Sequence, residues 1–249
     1  MSNCPVIVGG YSNSGSDLVS KVMKMAGCTI DYPASSRNSF ILNQFFDRWV
    51  NAYLVMLVDG ITQGSDLIQA EFRATIESYL ESFRLPENGT WSWDEPRSIY
   101  MLPFFYHFYP KMKFIHVVRN SIDSCYAMDK DQLHKHGDVL LGVNLQSRDA
   151  ILRSADMWNR VNAFVNHFGT NYLKDRYMLL RIEDLHKNTG LVSRQLLKFV
   201  DSPHSSLEIK ELIEKNSLSS NAPPYKNRIL TEAEEITMGT MCSLGYYAS

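Results

Sequence analysis

A chain of 249 residues, 45% hydrophobic and 21% charged, carries enough apolar material to bury one sizeable core and has the balance of an ordinary globular protein. A formal net charge of -2 argues against broad nucleic-acid binding, which needs a concentrated basic surface. Cys4, Cys28, Cys125 and Cys242 form no C-x-x-C pair and no metal-ligand spacing. With no apolar run near the roughly 18 residues of a membrane span and no secretory-type leader, the chain reads as reduced, soluble and cytoplasmic.

Val6, Ile7 and Val8 are β-branched and continuously apolar, which predicts a strand covered on both faces. Gly9, Gly10, Ser12, Ser14 and Gly15 follow with little side-chain bulk, and a helix opens near Ser16. Backbone N–H groups in such a loop can approach an anion closely, and the helix adds the positive end of its dipole. The spacing Gly10–Gly15 matches the Walker-type pattern G-x-x-x-x-G-K-S/T, but Ser16 and Asp17 stand where its Lys and hydroxyl belong. Triphosphate hydrolysis and kinase-like transfer are therefore disfavoured. A plain strand–turn–helix junction would use the same glycines for backbone geometry alone.

Further along, helical spacing predicts helices over 16–27, 38–58 (with the stripe Phe40, Ile41, Phe45, Phe46, Trp49, Tyr53) and 65–84. Residues 86–96 read as a turn, a short strand and a stop before Pro96, and 97–108 as a helix ended by Tyr109-Pro110. Lys113–Val118 is the second buried strand, with a helix over 121–128 after it. Residues 130–145 are polar and read as a surface loop or lid. A long helix over 147–168, a strand at Tyr177–Leu180 and helices near 189–200, 206–216 and 231–243 complete the chain. This alternation predicts an α/β fold with a mainly parallel central sheet, flanked by helices, and ligands at the carboxyl ends of its strands. Arg119 then falls beside the Gly10–Gly15 loop, where a guanidinium can hold a phosphate bidentately; the alternative is an ion pair with Asp123 at the sheet edge.

At this point the chain resembles a family. Val8 to Leu18 is similar to the 5′-phosphosulfate loop of sulfotransferases, G-x-x-R-S-G-T-T/S-L. Phe114 to Asp123 resembles their 3′-phosphate segment, F-I-x-L/V-V-R-N/D-P-x-D. Trp91 to Ser98 resembles W-x-W-K-x-P-R-S, Arg181 to Leu185 resembles R-Y-E-D-L, and the motifs keep the family's order over nearly the whole chain. The resemblance implies a P-loop NTPase-like sulfotransferase architecture in a single domain, residues 1–249, with helical acceptor-side segments about 31–85 and 130–170. It implies transfer of a sulfuryl group from 3′-phosphoadenosine 5′-phosphosulfate (PAPS) to a hydroxyl or amine of a carbohydrate or small-molecule acceptor. The product is 3′-phosphoadenosine 5′-phosphate (PAP), with no metal and no nucleic-acid partner. It places PAPS against Ser12, Asn13, Ser14, Gly15, Ser16, Asp17, Arg119 and Ser124, with Lys226 and Arg228 as further cations, and the chemistry at Asp94, Glu95 and Arg97.

Departures fall on charged positions. Asn13 stands where the loop has Arg, Asp94 where a Lys meets the bridging oxygen, and Ala127 where a phosphate-binding Ser is usual. Missing cations cost ~1.5–3 kcal/mol per charge-assisted hydrogen bond. A catalytically decayed relative that binds a nucleotide or partner without turnover is the alternative. For the general base, Asp94 and Glu95 lie nearest the transfer point, although Asp94 equally suits an N-cap for the helix after Pro96. His116 reads as a packed core histidine, His134 and His136 as lid residues, and Glu183-Asp184 as structural partners of Arg181.

Overall fold

The structure is a computed structural model that describes residues 4–30, 37–81, 90–127, 129–142, 148–203, 209–211, 213 and 228–247, with the side chains of 30 and 37–39 left out. Strands β1 (Val6–Gly10), β2 (Thr29–Ile30), β3 (Trp91–Asp94), β4 (Lys113–Val118) and β5 (Tyr177–Arg181) form one sheet in the order β2-β3-β1-β4-β5. Every pairing is parallel. Helices α1 (Ser16–Met25), α2 (Arg37–Val58), α3 (Asp66–Glu81), α4 (Leu102–Phe108), α5 (Ser121–Tyr126) and α6 (Asp131–Leu141) lie in the first part of the chain. Helices α7 (Ala150–Phe168), α8 (Ile182–Lys187), α9 (Thr189–Phe199) and α10 (Arg228–Ser243) lie in the second.

The period-two geometry of a strand explains how the helices divide between the two faces. Val6, Val8, Ile115 and Val117 point into a core shared with Leu18, Val19 and Val22 of α1, Leu185 of α8 and Leu196 of α9. Ile7, Phe114 and Val118 point the other way, into a larger core with the aromatic rings of α2, α3 and α4 and with Trp158 of α7. Phe72 is the hub of that second core, packing against Phe45, Trp93, Phe104, Phe105 and Phe108 at centroid distances of 5.0–6.4 Å. The stripe in α2 is therefore core at Phe45, Phe46 and Tyr53, while Phe40 is 59% exposed.

Three expectations are corrected. Residues 131–141 form a helix, α6, where polarity and Gly137 predicted a loop. Leu133, His136 and Leu141 turn inward at helical spacing, and a Cβ on Gly137 would lie 2.9 Å from Leu133, so the glycine lets that turn pack closely. The helix expected over 97–108 is two pieces, a 3-10 turn at Pro96–Tyr100 and α4 after a break at Met101. Pro103 supplies the break, because its ring fits the first turn of a helix and not the middle of one. The edge strand β2 was not foreseen. Most of the helix expected over 206–216 lies outside the described residues.

Candidate active site

The register of the sheet brings the chemistry-bearing ends together. Val8 pairs with Asp94 and Gly10 with Val117, so the loop after β1 has the end of β3 on one side and the end of β4 on the other. Tyr11 carbonyl accepts the Ser14 N–H at 3.0 Å, closing a tight turn in which Asn13 has φ +62°. Asn tolerates that left-handed conformation better than any other residue with a side chain, which is one physical reason for it here. Its amide then reaches across to the Asp129 carbonyl at 3.1 Å, tying the loop to the start of α6.

Gly10 and Gly15 are fixed by space. A Cβ on Gly10 would lie 2.4 Å from both Ser14 Oγ and the Val117 carbonyl. One on Gly15, at φ +89°, would lie 2.8 Å from Ile182. No side chain caps the first turn of α1, leaving that helix N-terminus to an anion. The helix after Arg119 differs: Asn120 Oδ1 accepts from the Ile122 and Asp123 amides at 3.0 and 3.4 Å, so α5 is capped from within the chain.

These ends open into one cleft of about 770 Å³. Ser12, Asn13, Ser14, Gly15, Ser16 and Asp17 line it from the loop, Asp94, Glu95 and Arg97 from the end of β3, and Arg119 from the end of β4. Ser124 is buried on α5 and Arg228 is exposed at the start of α10, and neither lines the cleft. Lys226 lies outside the described residues.

Asp94 does not cap the turn after Pro96. Glu95 does, accepting the Arg97 amide at 3.2 Å. Asp94 instead accepts from Ser20 of α1 at 2.5 Å through Oδ2, while its Oδ1 is buried with no hydrogen-bond partner among the described residues. Burial, opposed by the Ser20 and Ser16 hydroxyls and abetted by the charges of Asp17 and Glu95, lifts its pKa from 3.8 to about 7. Glu95 is committed to Arg97, which donates to its two oxygens at 2.7 and 3.0 Å, to Asp47 at 2.5 Å and to Asn43 Oδ1 at 2.7 Å. Burial works against the Arg97 charge, but Glu95 and Asp47 more than offset it and hold its pKa above the ordinary arginine value.

The far wall was not legible as site from sequence. Phe40, Asn43, Gln44 and Asp47 share one face of α2, and Asp131, Gln132 and Lys135 one face of α6, and all line the cleft. A polar spacing of three and four within the α2 aromatic stripe is the signal that marks them. Gln132 also links the wall to the floor, donating to the Gly10 carbonyl at 3.4 Å and accepting from Tyr100 at 2.7 Å.

None of the described histidines lines the cleft. His116 is fully buried between Tyr177 OH at 2.8 Å and Asn162 Oδ1 at 2.9 Å, and burial lowers its pKa to about 4. His136 turns inward from α6 to Asn51 at 2.7 Å, and burial, with the nearby Arg97 and Lys135 charges, lowers its pKa to about 4. His134 is exposed. Arg181 pairs with Asp184 at 2.5 Å. Glu183 takes a different role, accepting the Asn120 N–H at 2.7 Å and the Tyr246 hydroxyl at 2.9 Å.

A parallel sheet with a glycine-bounded loop between its central strand and the helix that follows defines a P-loop-like fold. The sulfotransferase family model matches residues 5–206, and the chain belongs to that family. Sulfotransferase STF9 from Mycobacterium avium superposes with a TM-score of 0.58 at 9% identity, over 98% of this chain and 77% of that one. The sulfotransferase domain from the curacin biosynthetic pathway gives 0.53 at 15%, over 99% of each chain. Sulfotransferase STF1 from Mycobacterium tuberculosis H37Rv gives 0.53 at 11%, over 95% and 77%. At these identities the likeness is one of fold. No curated protein sequence matches the chain. Family and fold together make it a transferase of the sulfuryl-transferring kind. No described helix is long and apolar enough to cross a membrane.

Proposed function

We propose that the protein transfers the sulfuryl group of PAPS to a hydroxyl or amine of a carbohydrate or small molecule bound in the 770 Å³ cleft. The observation that carries this reading is that the uncapped N-terminus of α1 and Arg119 at the end of β4 open into the same cleft. The chain fits PAPS at its phosphates: the Ser12–Asp17 backbone and the Ser14 and Ser16 hydroxyls would hold the 5′-phosphosulfate, and Arg119 the 3′-phosphate. When bound, PAPS supplies the sulfuryl group and a PAP leaving group.

Asp94 is the general base in this reading. Its carboxyl takes the acceptor proton as the acceptor oxygen or nitrogen bonds to sulfur and the bond from sulfur to the phosphate oxygen breaks. A carboxyl with a pKa of about 7 is half ionised at neutral pH, suited to receiving that proton. Glu95 and Asp47 orient Arg97 at the cleft floor, and the α1 amides stabilise charge on the departing phosphate. The α2 face Phe40–Asp47 and the α6 face Asp131–Lys135 form the acceptor side of a single domain.

A second reading, binding without turnover, is favoured by one observation: Asp94 is an acid where the family pattern has a cation, and Arg97 is already held by Glu95, Asp47 and Asn43. Thermal unfolding with PAP or with ATP tests the site. Stabilisation by PAP alone is expected; no shift with either overturns both readings. Radiolabelled PAPS with an acceptor panel then separates them, since PAP binding without any transfer leaves only the second.

A further inference from the structure

Helix α10 ends in a turn that reaches the end of β5. Gly245, at φ +74°, takes the left-handed conformation that glycine adopts without strain. Its amide donates to the Cys242 carbonyl at 2.9 Å, and the Tyr246 amide donates to the Met241 carbonyl at 3.0 Å. Those two bonds close a helix and reverse the chain, and the buried Leu244 anchors the turn. The reversal lays the Tyr246 ring against the Arg181 guanidinium, 5.5 Å from the ring centroid, and Arg181 also donates to the Gly245 carbonyl.

From there the Tyr246 hydroxyl donates to Glu183 Oε2 at 2.9 Å, and Glu183 Oε1 accepts the Asn120 amide at 2.7 Å. Asn120 directly follows Arg119 and caps α5 with its own side chain. A second tie is independent of the first. Ser121 Oγ and Thr237 Oγ1 of α10 lie 2.8 Å apart in a fully buried contact. The Thr237 proton goes to the Ala233 carbonyl at 3.0 Å, so Ser121 is the donor. The sulfotransferase pattern has Pro at the Ser121 position, a residue without a hydroxyl, so the pattern residue could not make this bond. Two consecutive residues after Arg119 are thus held from α10, one through Glu183 and one directly.

We propose, resting on the PAPS reading, that Tyr246 and Ser121 are positioning residues: α10 and its closing turn clamp the corner between β4 and α5 and so aim Arg119 at the 3′-phosphate. Neither side chain lines the cleft, so each acts through the backbone that it holds. A guanidinium fork on a phosphate depends on direction as well as charge, and a small shift at its backbone is carried to the end of a long side chain. The coupling runs both ways: what the clamp gives to 3′-phosphate affinity, bound PAP gives back as protection of the turn at Leu244–Tyr246.

Calorimetric titration with PAP and with adenosine 5′-phosphate, which lacks the 3′-phosphate, tests this on Tyr246→Phe, Ser121→Ala and Arg119→Ala. Tyr246→Phe keeps the ring on Arg181 and removes only the hydroxyl. Tyr246→Phe and Ser121→Ala are each expected to weaken PAP by about three- to tenfold and to leave adenosine 5′-phosphate unchanged. A general loosening of the fold would weaken both nucleotides alike. In an Arg119→Ala background, Tyr246→Phe should weaken PAP no further, because the group that it positions is gone. If the buried Ser121→Ala fails to fold, Tyr246→Phe, at a half-buried turn, still decides. Unchanged PAP affinity in Tyr246→Phe, equal losses for the two nucleotides, or losses that add in the Arg119→Ala background each overturn the inference and leave the transfer reading standing. Absence of PAP binding by the wild type overturns both.

Discussion

Replacing Asp94 with Asn keeps the shape of the side chain and its bond to Ser20 but removes its charge at every pH. In the native chain the carboxyl titrates near 7, against 3.8 for a free Asp side chain. Between those values the folded state keeps a proton that the unfolded state has released, so raising the pH favours unfolding of the wild type through this group. The loss starts near pH 4 and is complete just above pH 7. Between pH 5 and pH 8 it amounts to about 3 kcal/mol, from 1.36 kcal/mol per pKa unit. Asn carries no such penalty. Urea unfolding of both proteins at pH 5, 6.5 and 8 should therefore show Asp94→Asn gaining about 3 kcal/mol on the wild type across that range with an unchanged m-value. The same variant should lose about 10²–10⁴-fold in sulfuryl transfer if Asp94 is the base, and the wild-type rate should rise with pH to a plateau above about 7. Stability curves that run parallel from pH 5 to pH 8 would refute the placement of a buried, proton-holding carboxyl at the cleft floor.

Arg119→Ala should weaken PAP binding by about tenfold to a hundredfold, measured by calorimetry, while Arg119→Lys recovers part of the loss because a point charge replaces a fork. Gly15→Ala should destabilise the fold by about 2 kcal/mol or more in chemical denaturation, since its Cβ meets Ile182 at φ +89°; pairing it with Ile182→Ala should relieve the steric part. Glu183→Ala should speed hydrogen exchange at the Asn120 amide and lower PAP affinity more than turnover at saturation, while Glu183→Gln, which keeps an acceptor for that amide, stays close to wild type. His116, held neutral by burial, makes a stabilising contribution that is complete above pH 6.5 and is lost as the pH falls toward 4; His116→Asn should flatten that part of the acid-unfolding curve.

The sheet strands β1, β4 and β5 were legible because each is a short apolar run that no helix of ordinary length would carry, and the loop after β1 because glycines and serines cluster nowhere else so tightly. Strand β2 escaped because Thr29–Ile30 has no period to detect. Helix α6 escaped because its inward face includes His136 and Gly137, which read as polar or breaking until packing against Leu133 and Asn51 is known. In the site, the loop and Arg119 followed from strand ends, a purely local pattern. The partners of Asp94 and Arg97 did not. Ser20 under Asp94 is a serine inside a helix, and Asp47 beside Arg97 lies half a hundred positions away on another helix. Such pairings are set by tertiary approach, and one sequence holds no trace of them.

The central strand has no sheet partner near it in the chain: Val6 pairs with Ser92 on one side and with Lys113 on the other. The segment that carries the glycine–serine loop is made early and completed late. During synthesis one edge of this apolar strand stays bare until the chain beyond Asp94 has left the ribosome, and the other until the chain beyond Val118 has. Chains cut short before that point carry the whole glycine–serine motif and no cradle. An anion bound there registers only the finished sheet, and so acts as a ligand that rewards complete folding over every partial state.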